Sequence, residues 1–143
     1  MTAAGDASDA ELVAHLRASL SPQRFPVRRE AELEGAASDA NGAISFYDHH
    51  WPARSVLAIS AVRVAGGDID AALRAAGIKH LIRAVVAKTR TAREALEALA
   101  GRVDTIGLDV GLLVLDVVSG TASCAASGKA AVPADHASGS AST

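Results

Sequence analysis

The stretch SVLAISAVRVAGGDIDAAL, residues 55–73, decides the fold, because a strand pattern gives way to a helix pattern within it. Residues 55–64 are apolar almost throughout, which predicts a strand buried on both faces. Gly66 and Gly67 end this strand. Acidic residues open the next segment and basic residues close it, the charge order that a helix dipole favours: Asp68 and Asp70, then Lys79, Arg83 and Lys88.

Two helices are predicted after this turn. The first is expected to bury a stripe of five apolar side chains, namely Ile69, Ala72, Leu73, Ala76 and Leu81. Thr91 and Glu94 have the spacing of a capping box, which predicts the start of a second helix that Gly101 closes.

Strand patterns flank this helical pair. Residues 27–33 (VRREAEL) alternate polar and apolar, and residues 43–48 (AISFYD) give a second strand before the one at 55–64. Residues 106–118 and 121–127 predict two more strands, joined by a turn at Ser119 and Gly120. The order β-β-β-α-α-β-β after an N-terminal helix indicates an α+β fold, with a layered β-sheet or sandwich and a helical pair.

The N-terminal segment predicts an amphipathic helix within residues 1–23. Ser8 and Glu11 match a capping box, and Pro22 stops the helix. Its apolar stripe (Leu12, Val13, Leu16 and Leu20) is expected to pack either on the domain body or on a second copy of the chain. Residues 24–132 are expected to form the main domain, and the Gly/Ser-rich residues 133–143 a disordered tail.

Composition excludes several classes of protein. The chain has 143 residues and a formal net charge of -2, so it is sized for one domain and has no strong field for nucleic acid or an anionic membrane. Cys124 is the single cysteine and cannot form an internal disulfide, which favours a reducing compartment. No apolar run approaches the roughly 20 residues of a membrane span, so we expect a cytoplasmic protein.

Three pieces of the sequence together resemble one family, the bacterial metal-dependent (PPM-type) serine phosphatases of the sporulation-protein-E and RsbU kind. ELVAHLRASLSPQRFP resembles the helix that precedes their catalytic domains. SFYDHH followed by VLAISAVRVAGGDIDAAL is similar to their Gly-Gly-Asp-Phe-Tyr-Asp strand, Gly-Asp-Val-Ser-Gly-His-Gly turn and Ala-Ala-Leu helix. VLDVVSGTASCAASGKA resembles their later hairpin. The resemblance covers residues 11–131.

The resemblance implies a β-sandwich with flanking helices in which aspartates hold two divalent metals that activate water. In this chain Ser45 falls on the first metal aspartate and Arg63 on the next, while Asp48 matches the second aspartate of the first motif. Serine is a poor ligand for a hard cation, and a guanidinium repels it. We expect the later aspartates to be missing after residue 131, and Arg63 to sit where metals would and offset Asp48.

These substitutions predict a truncated, degenerate pseudophosphatase with no catalytic residues, metal or cofactor. By resemblance, its expected partners are an anti-sigma-factor antagonist domain or its kinase in sigma-factor signalling, and the chain itself as a homodimer. The alternative is a working manganese- or magnesium-dependent phosphatase that acts on the phosphorylated antagonist. It would use Asp48, Asp68 or Asp70, with another chain completing the site.

Four further features allow both a chemical and a purely structural interpretation. The turn Gly66-Gly67-Asp68 could bind an anion or a metal, but its acids favour a plain strand-to-helix turn. His49 and His50 point to opposite faces of a strand and cannot chelate one ion together. Asp109 is expected to be exposed or salt-bridged, and Cys124 to be a packed small residue.

Overall fold

The described residues form an α+β fold of three helices and one four-stranded antiparallel sheet. A computed structural model describes residues 3–22 and 42–128, with side chains from residue 8. The elements are α1 (Ala3–Leu20), β1 (Ala43–Ala53), β2 (Val56–Ala65), α2 (Ile69–Val86), α3 (Ala92–Ala100), β3 (Leu108–Asp116) and β4 (Thr121–Ser127). The predicted strand at 27–33 and the predicted tail at 133–143 lie outside the described residues.

The strands are ordered β1-β2-β3-β4, so each pairs with its sequence neighbour. The register sets Ser45 opposite Arg63, and Arg63 opposite Asp109. Because side chains alternate along a strand, residues 44, 46 and 48 share one face of the sheet and residues 45, 47 and 49 share the other.

All three helices lie on the first of these faces, here called the inner face. It contributes to the core the side chains of Ile44, Phe46, Ala58, Val62, Val64, Leu108, Val110, Leu112 and Ala125. α2 packs on β1 and β2, and α3 packs on β3 and β4. The opposite face, here called the outer face, carries Ser45, Arg63 and Asp109. The described residues thus form two layers, helices on a sheet.

The prediction that the central strand is buried on both faces is wrong for its second half. Leu57 and Ala58 are both buried, but Ala61, Arg63 and Ala65 are exposed on the outer face. Alanine is apolar but small enough to be tolerated both in the core and at the surface. For this reason a nearly continuous apolar sequence can form a strand whose residues alternate between core and solvent.

The helix after the turn is confirmed, and so is most of its predicted stripe: Ala72 is buried, Ile69, Ala76 and Leu81 pack against the core, and only Leu73 is wrong. The buried side chains of α2 are Ala71, Ala72, Ala75, Ile78, Ile82, Val85 and Val86. Leu73 is 55% exposed, while Ile69, Ala76 and Leu81 are only partly buried. An alanine-rich helix offers several apolar stripes, and the sheet selects the one whose small residues allow close approach.

Local signals placed α3 correctly. The Thr91 hydroxyl accepts a hydrogen bond from the Glu94 backbone N–H at 3.2 Å, and Gly101 occupies the C-cap. The Glu94 carboxylate accepts from the Arg90 N–H at 3.0 Å, one residue earlier than in an ideal capping box. The short helix therefore has satisfied ends and a buried face formed by Ala92, Ala95 and Leu99.

The N-terminal helix begins earlier than predicted, at Ala3, so Ser8 lies inside α1 and does not cap it. Val13 and Leu20 are buried and Leu16 packs on the core, whereas Leu12 is 42% exposed. Most of the predicted stripe thus packs on the domain body. Within residues 3–22 and 42–128, no helix combines the length and the hydropathy needed to cross a membrane.

Candidate functional site

Three polar residues form a row across the outer face. Ser45 on β1 lies directly opposite Arg63 on β2, which lies directly opposite Asp109 on β3. The Arg63 guanidinium and the Asp109 carboxylate are 3.5 Å apart, with side chains 48% and 17% exposed. The prediction that Asp109 faces away from the core and forms a salt bridge is confirmed. The cation at position 63 thus neutralises the carboxylate beside it.

Asp48 is on the inner face, in phase with Ile44 and Phe46, and is 2% exposed. The guanidinium of Arg83 on α2 binds the Asp48 carboxylate in a bidentate pair. The Arg83 Nε donates to Asp48 Oδ2 at 2.7 Å, and one terminal N–H donates to Oδ1 at 2.8 Å. The hydrogen bond to Asp48 raises the pKa of Arg83. Such a pair fixes strand and helix in one geometry.

The expected contact between Arg63 and Asp48 does not form, because the sheet separates them. Ser45 and Asp48 are three residues apart on β1 and so point to opposite faces. The structure brings Ser45 and Arg63 together and leaves Asp48 with a different partner. Asp48 pairs with Arg83, and Asp109 pairs with Arg63.

Arg83 was not identified as a site residue from the sequence, where it counted only as a charge at a helix end. A signal for it did exist: Asp48 falls in phase with two apolar residues that face the core. A carboxylate on a core face needs a cation or several donors. The sequence did not show which of the many arginines would supply the charge.

His50 lies next to the pair of Asp48 and Arg83. It shares their face of the sheet, opposite Ala58 on β2, whereas His49 lies opposite Ile59 on the outer face. Burial is the main cause that lowers the pKa of His50, and the nearby Arg83 charge lowers it further. Across the described ranges, 3–22 and 42–128, no three His, Cys, Asp or Glu side chains come together as a metal-binding group.

The Gly66-Gly67-Asp68 turn joins β2 to α2. Gly66 has a φ of 101°, which favours glycine, and its N–H donates to the Gly42 carbonyl at 2.7 Å. Asp68 is the N-cap of α2: its carboxylate accepts from the Ala71 N–H at 3.0 Å. A side-chain carboxylate therefore already occupies the position that a bound anion would take at this helix end.

A cavity of about 300 Å³ lies between α1 and this turn. Its charged lining residues are Asp9, Arg17 and Asp68. The Arg17 guanidinium also donates to the Ala43 carbonyl at 3.2 Å, which ties α1 to β1. With two carboxylates and one guanidinium around it, the cavity has no strong preference for either sign of charge.

Cys124 is buried on β4 at 1% exposure, and burial raises the pKa of its thiol. A thiol whose ionisation is disfavoured in this way is a poor nucleophile. Its position matches the interpretation of a packed small residue.

Comparisons with protein-family models, with curated proteins and with solved structures give no match for this chain. The description of the site therefore rests on the residues themselves.

Proposed function

We propose that this chain is a non-catalytic regulatory protein of the metal-dependent serine phosphatase type, which binds a protein partner without hydrolysing phosphoserine. By the resemblance of its motifs, the partner is an anti-sigma-factor antagonist domain or the kinase that phosphorylates it. The observation that carries the proposal is the pairing of Arg63 with Asp109 at a position where the family would place a metal aspartate.

The charge balance of the row supports this proposal. A divalent cation is held by several oxygen ligands, most of them carboxylates. The row offers the hydroxyl of Ser45, the carboxylate of Asp109 and, between them, the fixed positive charge of Arg63. A guanidinium remains protonated at any physiological pH, so this charge cannot be removed to admit a metal.

Two of the three other aspartates considered for catalysis already have structural roles. Asp48 is buried against Arg83 on the inner face, and Asp68 caps α2. Asp48, Asp68 and the row lie on different parts of the fold, which does not favour their cooperation in one reaction. This supports a protein that keeps the scaffold and uses its surface for binding.

The test combines two measurements on the purified full-length chain. The first is hydrolysis of a phosphoserine peptide and of the phosphorylated antagonist domain with manganese, using an active phosphatase of the same type as the assay standard. The second is titration of the antagonist domain and of its kinase by fluorescence anisotropy. We expect saturable binding to one of them and no manganese-dependent release of phosphate.

Two results would overturn the proposal. One is manganese-dependent hydrolysis that Asp48→Ala or Asp68→Ala abolishes while the variant stays folded by circular dichroism, which would favour a working phosphatase. The other is the absence of binding to both the antagonist domain and the kinase, which would remove the regulatory role.

A further inference from the structure

We draw no further inference here: the strongest candidate, the cavity of about 300 Å³ between α1 and the turn before α2, rests on a helix N-terminus that Asp68 already caps and on a second exposed acid, Asp9, and nothing in the described part of the chain identifies a ligand for it.

Discussion

Arg83 on α2 holds both carboxylate oxygens of Asp48 on β1, at 2.7 and 2.8 Å, although the two residues are 35 positions apart in sequence. The carboxylate is almost fully buried, with a side-chain exposure of 3%, while the guanidinium is 43% exposed. The pair therefore connects a core position to the solvent boundary. Removing Arg83 would leave the buried carboxylate of Asp48 without its cation, and an unpaired buried charge destabilises the fold.

We expect Arg83→Ala to lower the free energy of unfolding by about 1 to 3 kcal/mol, less than for a fully buried pair because solvent screens the arginine. Arg83→Lys is expected to recover part of this loss, since an ammonium cannot form the bidentate contact. Urea unfolding followed by circular dichroism measures both. The control is Arg93→Ala, which removes an exposed pair with Glu97 and should cost about 0.5 kcal/mol or less. Equal losses for Arg83→Ala and Arg93→Ala would contradict this account.

His50 predicts how stability depends on pH. Burial lowers its pKa in the folded chain from 6.5. The unfolded chain therefore takes up a proton as pH falls through 6.5 while the folded chain does not. Stability contributed by neutral His50 is complete above that value and is lost as pH falls towards the lower folded pKa.

The measurement is the urea midpoint at about pH 8 and about pH 5.5, a window in which histidine is the main side chain to titrate. We expect the wild type to lose stability at the lower pH and His50→Gln to lose clearly less. His80 is exposed on α2, and His80→Gln should keep the wild-type pH dependence. If His50→Gln kept it as well, the buried imidazole would not be the cause.

The four described strands and α3 were predictable from sequence because their signals are local. Alternation placed Asp109 away from the core, and Thr91 and Glu94 located a helix end to the residue. The face of α2 was predictable only in part, because an alanine-rich helix has more than one apolar stripe and its packing on the sheet decides which side chains are fully buried. Leu73 is exposed for this reason, although leucine is usually buried.

The sequence grouped Ser45, Asp48 and Arg63 in one site, and the structure brings only two of them together. Ser45 and Arg63 do lie together, as neighbours on adjacent strands. Asp48 does not join them, and counting positions along β1 would have shown this, since residues 45 and 48 differ in parity. The partnership of Asp48 with Arg83 joins a strand to a helix, and no local pattern specifies it.

Asp68 lies at the strand-to-helix turn, where it could act as a helix cap or as a ligand, and substitutions can distinguish these two roles. Its carboxylate accepts from the Ala71 N–H, whereas Asp70 lies in the first turn of α2 and is exposed. Asp68→Ala is expected to cost about 1 kcal/mol of stability through the lost cap. Asp70→Ala should cost only a few tenths of that through the helix dipole, roughly 0.3 kcal/mol.

Thermal unfolding with and without manganese tests both aspartate variants. If Asp68 acts as a helix cap, Asp68→Ala should lose the same amount of stability in the presence and in the absence of manganese. A metal ligand predicts that the wild type is stabilised by manganese and that Asp68→Ala removes this effect, which would contradict the capping interpretation.

The row of Ser45, Arg63 and Asp109 predicts that a metal site can be built on the outer face. Directly opposed residues on neighbouring antiparallel strands have Cβ atoms about 4.5 to 5.5 Å apart. Ser45→Asp with Arg63→Asp would therefore place three carboxylates side by side, two introduced and one already at Asp109. Without a cation their repulsion should destabilise the sheet, and a bound divalent ion would relieve it.

We expect manganese to raise the Tm of this double variant and to leave the Tm of the wild type unchanged. The control, Ser45→Asn with Arg63→Asn, has nearly the same side-chain shapes without the added negative charge, so it should show no response to manganese. An equal rise for the wild type would mean that Arg63 does not exclude the metal, and would count against a non-catalytic protein. A rise for the aspartate variant alone would show that this face holds a divalent ion only when positions 45 and 63 carry carboxylates, which the wild type does not have there.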